Sequence, residues 1–426
     1  MRDALSIDVD RSNVNISEDV TTPTSPRSVG MPVLKKPEML YLPNTLADWP
    51  WPRFLNPHYN EVGQQSREWL RSFNTFPARA QNAFDACDFN LLASLAYPRH
   101  SKDHIRIGCD VMNLFFVIEE YTDDASTKDT ARVVNMVMDT LHHPHTPRPE
   151  DEKRTCLAGE VTRQFWENAV RSASKSSQAR FVAAFDAYTQ GVIREAQDRN
   201  THVGHIEHSI DSYLQLRRQT IGCWPSFALL GLNTEHLTDN VMSHPLVEAL
   251  GHLATELILM GNDLLSYNRE RKDGALHNLV TIVLSNPPST HPYISTPQEA
   301  LNWIFQYHNV LAKHFVLIYD AIKYMFEPGA PHHAQSVRLS AGSAVLPVDT
   351  TMTTSLTLVA DSTESTQQVN FSDDEKAALL DYADGLSNWV RANDQWSFES
   401  LRYFGKNGLE VQQSRLVELR ALGKPT

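Results

Sequence analysis

Three oxygen-bearing side chains recur at four-residue spacing past the middle of the chain: Asn262, Ser266 and Glu270. Each step of four residues advances about 40° around an α-helix, so the three fall on one stripe. An amide oxygen, a hydroxyl and a carboxylate are ligands that suit Mg²⁺, which also leaves coordination positions for substrate phosphates. A solvated polar face would show the same spacing. The residues just before it, 254–260, are mostly apolar, which favours a stripe that faces a cavity.

A second group of carboxylates ends the apolar helical stretch 112–118. Carboxylates gathered at a helix C-terminus repel one another and also face the negative end of the helix dipole. Bound metal cations would remove both penalties, and the alternative is a solvated acidic helix end. Two of these side chains share one face at a spacing of four residues, and the other two share the next face. The group comprises Glu119, Glu120, Asp123 and Asp124.

Two arginine-containing stretches are candidates for binding phosphate. Arg217 and Arg218 precede Gly222, which with a following proline is expected to break the helix and expose backbone carbonyls. A guanidinium group can hold a phosphate through two parallel hydrogen bonds. Near the C-terminus, Arg402 and Tyr403 adjoin several aromatic residues. Taken singly, these features also fit a surface arginine pair and a C-terminal helix that packs its aromatic side chains in the core.

The four features together indicate one kind of chemistry. Acidic clusters bind metals, and metals with arginines bind a diphosphate. Aromatic faces stabilise cations by about 0.5–2 kcal/mol each. The combination predicts ionisation of an allylic diphosphate, in which metal ions and hydrogen-bond donors stabilise the departing negative charge. Water must be excluded from such a site, because water would quench the carbocation.

Composition and charge limit the class of protein. The chain has 426 residues, 41% of them hydrophobic, and a formal net charge of −13. This charge argues against a nucleic-acid-binding protein and against binding to an anionic membrane surface. No run of about 18 apolar residues predicts membrane insertion, and no apolar leader is visible at the start. Four cysteines without paired spacing predict buried free thiols in a reducing, cytoplasmic compartment: Cys87, Cys109, Cys156 and Cys223.

Apolar residues at helical spacing predict a single all-α bundle, with no internal repeat and no alternating strand pattern. We expect one domain over 32–426, preceded by a disordered tail at 1–31 and beginning with an irregular strap to about residue 57. A disordered insertion is expected at 328–369, before a capping box at 372–375. The predicted helices lie near 58–73, 78–97, 102–122, 127–141, 158–174, 176–199, 205–221, 224–232, 243–272, 296–326 and 372–404.

Four stretches of the chain resemble the class I terpene synthases, and most closely the fungal, basidiomycete-type sesquiterpene cyclases. They also occur along the chain in the order that this family shows. The resemblance extends from about residue 42 to residue 405. The stretch from Asn262 to Glu270 matches the second metal motif of that family in full. The other stretches are Trp49-Pro50-Trp51-Pro52-Arg53 with Asn56-Pro57-His58-Tyr59, the acidic stretch 113–123, and the last helix, 388–403.

The resemblance implies a class I terpene synthase bundle around a central active-site cavity. It also implies a lyase that ionises and cyclises farnesyl diphosphate, as a monomer or homodimer. Asn262, Ser266 and Glu270 would hold one Mg²⁺, and the acidic motif (Glu119, Glu120, Asp123) two more, with Mn²⁺ able to substitute. Arg218, Arg269, Arg402 and Tyr403 would bind diphosphate, and Gly222 would present a catalytic carbonyl beside the catalytic Arg218, Arg402 and Tyr403. The expected pocket lining is Phe115, Phe116, Trp396 and Phe398.

One position departs from the family pattern. Relatives usually begin the acidic motif with Asp, whereas this chain has Glu119, whose carboxylate lies one methylene further out. Because Mg²⁺ geometry is demanding, either Asp123 or Asp124 takes over the bridging role or the protein is an inactive relative. A chain-elongating prenyltransferase is a further alternative, but it would need two Asp-rich motifs. The strap at 49–59 resembles relatives that close the chain by 1,11 attack to a humulyl cation, with protoilludene-type products.

Overall fold

A computed structural model describes residues 37–201, 208–324 and 371–423. The predicted disordered tail at 1–31 and the predicted insertion at 328–369 lie outside the described residues. Within the described part, no helix combines the length and the apolar character needed to cross a membrane.

The described chain is almost entirely helical, as predicted. Its helices are α1 Tyr59–Ser72, α2 Ala78–Ala86, α3 Phe89–Ala96, α4 Lys102–Thr122, α5 Thr127–His142, α6 Glu150–Thr155, α7 Ala158–Ala169, α8 Lys175–Thr201, α9 Ile210–Thr220, α10 Cys223–Leu230, α11 Asp239–Met242, α12 Pro245–Asp273, α13 Leu279–Ser285, α14 Pro297–Tyr324, α15 Asp373–Glu399 and α16 Gly408–Ser414, with a 3₁₀ turn at Gly405–Asn407.

The long helices pack around one another in a closed ring of neighbours. Helix α12 packs against α14 and α15, α15 against α3, and α3 against α4. On the other side, α8 packs against α5, α9 and α10. Helix α12 is buried on nearly all faces from Ala249 to Asn268, because it lies at the centre of the bundle. The stripe of Asn262 and Ser266 is therefore inside the protein.

Most helix ends follow from local signals in the sequence. The predicted capping box is confirmed: Ser372 Oγ accepts from the amide of Glu375, whose carboxylate accepts in return from the amide of Ser372. The predicted helix at 78–97 is instead two helices, because Asp88 adopts a left-handed conformation with φ 45°. Its carboxylate caps α3 at the amide of Leu91 and accepts from the hydroxyl of Tyr59.

The all-α prediction is confirmed, and one short ribbon of two strands adds to it. Strand β1, Met39–Tyr41, pairs antiparallel with β2, Leu416–Glu418, in the described structure. Three-residue strands contain too few residues to show an alternating pattern, and their pairing joins the two ends of the domain. Helices α6, α11, α13 and α16 were also not predicted, because each is seven residues or shorter. All four cysteines are buried and free, as predicted.

Candidate active site

A cavity of about 460 Å³ opens between α4, α8, α9, α12 and α15. Volumes of roughly 300–1,000 Å³ are typical of sites for small organic ligands. Eleven of the predicted site residues line it, and they come from segments far apart in the chain. The full set, which numbers eleven with Tyr403, is Phe115, Phe116, Glu119, Asp123, Gly222, Asn262, Arg269, Glu270, Trp396, Arg402 and Tyr403. The predicted residues outside the lining are Glu120, Arg218, Ser266 and Phe398.

Helix α12 supplies the first polar wall of the cavity. The Oδ1 atom of Asn262 accepts from Nη2 of Arg217 at 2.8 Å, and its Nδ2 donates to the hydroxyl of Tyr403 at 3.0 Å. One turn further, Ser266 is fully buried behind the cavity surface. Glu270 reaches the cavity, and its Oε2 accepts from the side-chain amide of Asn278 at 2.9 Å. Burial raises the pKa of the Glu270 carboxyl, because a desolvated carboxylate is destabilised unless a positive charge lies beside it.

Helix α4 supplies the facing wall. Glu119 and Asp123, one turn apart, line the cavity, and so does Asp124. Burial, with the neighbouring charge of Asp123, raises the pKa of the Glu119 carboxyl to about 8. Burial likewise raises the pKa of Asp123 to about 6. Glu120 is directed away, because successive helix residues are rotated by about 100°.

Helix α8 contributes residues that the sequence analysis did not identify. Tyr188, Glu195, Asp198 and Arg199 all line the cavity. Arg199 Nη2 donates to the backbone carbonyl of Thr122 at 2.8 Å, which connects α8 to the end of α4. Glu195 and Asp198 follow Tyr188 at helical spacing within the predicted helix 176–199. This spacing is the one feature of the sequence that could have pointed to the cavity. Nothing local distinguishes such a stripe from a solvated helix face.

The structure places Arg217, and not the predicted Arg218, at the cavity. Arg217 donates from Nε to Oδ1 of the buried Asp263 at 3.2 Å, in addition to its bond with Asn262. Tyr213, one turn earlier on the same face of α9, donates to Oδ2 of Asp263 at 2.5 Å. Arg218 points to a different face, where it forms an ion pair with the buried Glu256. The sequence alone did not show which of the two arginines faces the cavity, because that depends on the rotation of α9. The diphosphate-binding role of Arg218 stays a prediction.

Arg402 lies over an aromatic platform at the cavity wall. Its guanidinium carbon is 4.9 Å from the centroid of Phe116 and 5.5 Å from that of Phe89. These two rings stack with centroids 3.5 Å apart. The Nε and Nη1 atoms of Arg402 are buried and have no hydrogen-bond partner among the described residues. Arg269 donates to the backbone carbonyl of Arg402, which brings a second guanidinium to the same wall.

Aromatic and aliphatic side chains form the apolar part of the cavity lining. Phe115 packs against Tyr188 with ring centroids 5.0 Å apart, and Trp396 donates to the carbonyl of Cys87 at 2.8 Å. Trp389 also lines the cavity, although it was not among the predicted lining residues. Phe398 is instead a core residue, 1% exposed and stacked on Phe404. Its position two residues after Trp396 turns it to the opposite side of α15.

The predicted helix break at Gly222 is present. Helix α9 ends at Thr220, α10 begins at Cys223, and Gly222 has φ 76°. A Cβ atom at this position would lie 3.5 Å from the ring of Phe115. The carbonyl oxygen of Gly222 accepts from the hydroxyl of Ser226 at 2.8 Å, so it is held in place beside the aromatic wall.

The donor set fits divalent metal ions of the hard, oxygen-binding kind. The cavity-facing oxygens of α4 and α12 come from carboxylates and one amide, and buried carboxylates need a positive partner. Among the described residues, no group of three or more His, Cys, Asp or Glu side chains could hold a metal ion by itself. The ligands are divided between two walls, which suits ions that complete their coordination with oxygens of a bound anion.

Comparison with known proteins identifies the family. Residues 110–314 match the family model described as terpene synthase family 2, C-terminal metal binding. The chain is 40% identical over 398 residues to a Δ6-protoilludene synthase of Stereum hirsutum, covering 93% of this chain and 92% of that protein. The chain belongs to the terpene synthase family. This terpene synthase is also 40% identical over 387 residues to sesquiterpene synthase 14 of Postia placenta, with 90% and 93% of the two chains covered.

Solved structures show the same fold. The terpene synthase superposes on germacradien-4-ol synthase from Streptomyces citricolor with a TM-score of 0.59 at 20% identity, covering 82% of this chain and 98% of that one. It superposes on hedycaryol synthase with a TM-score of 0.61 at 19% identity, covering 84% and 98%. The predicted class I terpene synthase bundle is confirmed. Family membership also confirms the use of divalent metal and of a prenyl diphosphate substrate.

Proposed function

We propose that this terpene synthase is a Mg²⁺-dependent sesquiterpene synthase that ionises farnesyl diphosphate and cyclises the carbocation. Three Mg²⁺ ions, replaceable by Mn²⁺, would bind between the α4 and α12 walls. Several relatives at about 40% identity are named Δ6-protoilludene synthases. Together with the resemblance of the strap at 49–59, this supports 1,11-closure to a humulyl cation and a protoilludene-type product.

The unpaired donors of Arg402 carry the proposal. A buried guanidinium nitrogen without a hydrogen-bond partner is energetically unfavourable, so its donors indicate an anionic ligand. The guanidinium group lies over the rings of Phe116 and Phe89, which fixes its position at the wall. The carboxylates of Glu119 and Glu270 line the same cavity. A cavity with both anionic and cationic groups at one end suits a ligand that arrives as a metal-bound diphosphate.

The protein's own residues would divide the reaction between two zones. Arg402, Arg269 and Arg217 donate hydrogen bonds to the diphosphate and hold it at the polar end. Bound Mg²⁺ would supply positive charge that stabilises the leaving group. Phe115 and Trp396 enclose the hydrocarbon chain, exclude water and offer aromatic faces to the carbocation. The Gly222 carbonyl or the released diphosphate would accept the final proton.

Incubation of the purified protein with farnesyl diphosphate and Mg²⁺, followed by GC-MS of the headspace, tests the proposal. We expect a cyclic sesquiterpene that is absent from boiled and EDTA-treated controls. A headspace identical to the boiled control would contradict synthase activity and favour an inactive relative, as the Glu119 departure allows. Longer prenyl diphosphates in the aqueous phase would identify a chain-elongating prenyltransferase.

A further inference from the structure

Asn278 lies in the segment that joins α12 to α13, and its side chain is fully buried. It is the N-cap of α13, because its Oδ1 accepts from the amide of Val280 at 2.9 Å. The preceding residues Ala275, Leu276 and His277 line the active-site cavity. This one side chain therefore lies where the cavity wall ends and the next helix begins.

The other end of the same side chain contacts the second metal motif. Nδ2 of Asn278 donates to the backbone oxygen of Asp263 at 2.8 Å, to Oγ of Ser266 at 3.3 Å and to Oε2 of Glu270 at 2.9 Å. These three acceptors lie on successive turns of α12. A primary amide has only two N–H groups, so one of them is shared between acceptors. Asn278 thus determines where two of the three oxygen-bearing side chains of the motif point.

The chemical type of this donor is informative. A lysine or arginine at this position would neutralise the Glu270 carboxylate, whereas an amide orients the carboxylate and leaves its charge available to a cation. Mg²⁺ requires near-ideal placement of its ligands. Groups that hydrogen-bond to metal ligands from behind commonly set that placement. Asn278 reaches Glu270 and Ser266 without itself lining the cavity, which is the arrangement expected of such a group.

We propose that Asn278 is a positioning residue of the metal site, orienting Glu270 and Ser266 for Mg²⁺ while it caps α13. This inference rests on the proposed function, since it concerns the metal that the second motif would hold. It differs from a purely structural role in one measurable respect. Loss of the amide donor weakens metal binding, while loss of the cap weakens only the fold.

Asn278→Ser separates the two roles, because serine is also a good N-cap but has no NH₂ group. Mg²⁺ and Mn²⁺ are titrated into the full-length protein by calorimetry, with inorganic pyrophosphate present, and metal-dependent shifts in Tm are recorded in parallel. We expect the metal Kd of Asn278→Ser to rise about 10–100-fold, the range for lost outer-shell contacts. The metal concentration that gives half-maximal turnover should rise by the same factor. The kcat at saturating metal should stay within about threefold of the unmodified protein.

Asn268→Ser is the matched control. Asn268 is a buried asparagine of α12 that does not line the cavity, and its side chain bonds to the backbone of Glu418 and Arg420 and to neither Ser266 nor Glu270. We expect a lower Tm and an unchanged metal Kd. An unchanged metal Kd in Asn278→Ser would overturn the inference while leaving the proposed function intact. If the unmodified protein and Glu270→Ala gave the same titration, the metal site itself, and the inference with it, would be refuted.

Discussion

Asn262 donates a hydrogen bond to the hydroxyl of Tyr403 at 3.0 Å, which joins the second metal motif to the last active-site segment. Its carbonyl oxygen accepts from Arg217. A single amide therefore connects α12, α9 and the turn after α15 at the polar end of the cavity. A metal bound at Asn262 would share this carbonyl oxygen with Arg217, so metal and diphosphate binding should be coupled through this side chain.

Glu270→Ala should lower sesquiterpene formation by more than about 100-fold, beyond the usual effect of losing an outer-shell contact. The substitution removes the carboxylate that faces the cavity and leaves Asn278 capping α13. GC-MS of product under saturating Mg²⁺ measures the effect, and circular dichroism verifies the fold. Glu248→Gln, an exposed position in the first turn of the same helix, is the control. Activity retained in Glu270→Ala would mean that the metal site has been misplaced.

Arg217→Gln should mainly lower activity, whereas Arg218→Gln should mainly lower stability. The first removes a cavity-facing donor and should lower kcat/KM about 10²–10³-fold, as for other donors to developing negative charge. Asp263 would retain its bonds from Tyr213 and Leu279, which limits the loss of stability.

The second substitution leaves the buried Glu256 carboxylate without its partner. This should lower the free energy of unfolding by about 3–5 kcal/mol, with near-normal turnover per folded molecule. Urea unfolding and steady-state kinetics on both variants test the pair. The opposite pattern, a stable but inactive Arg218→Gln, would restore the assignment made from the sequence.

Metal affinity should increase with pH between about 6 and 8. Metal must displace protons from Glu119 and Asp123, whose pKa values are raised to about 8 and about 6. Each proton released adds up to about a tenfold change in Kd per pH unit. The metal-free protein should lose stability over the same rise in pH, because the folded-state pKa values exceed the unfolded ones. Calorimetric titration of Mn²⁺ at several pH values measures the slope, which Glu119→Gln should reduce.

Acid should destabilise the fold through His308. Burial lowers the pKa of this histidine to about 4, against about 6.5 in an unfolded chain. Its contribution to stability is present above pH 6.5 and is lost as pH falls towards 4, because only the unfolded state binds the proton. Between pH 7 and pH 5 this amounts to about 2 kcal/mol. Urea unfolding should show a smaller pH dependence in His308→Gln and no change in the control His236→Gln, an exposed position.

Residue spacing was sufficient for much of the site. The stripe Asn262, Ser266 and Glu270 was placed on a helix from its period alone, and the helix break at Gly222 from its residue types. Both are local properties, because backbone hydrogen bonding fixes the helical period and glycine favours φ 76°. The capping box at the start of α15 was predicted for the same reason. Such features depend only on residues a few positions apart.

The sequence by itself thus determined the helical class, the family and the order of the motifs that meet at the cavity. Only the tertiary structure decided which side chains face the cavity. Arg217, Glu119 and Trp396 line it, whereas Arg218, Glu120 and Phe398 do not. Each choice is a rotation about a helix axis that packing against α12 or α4 sets, and no local pattern encodes it. The contributions of α8 and Asn278 depend likewise on packing between distant segments, which a single sequence does not reveal.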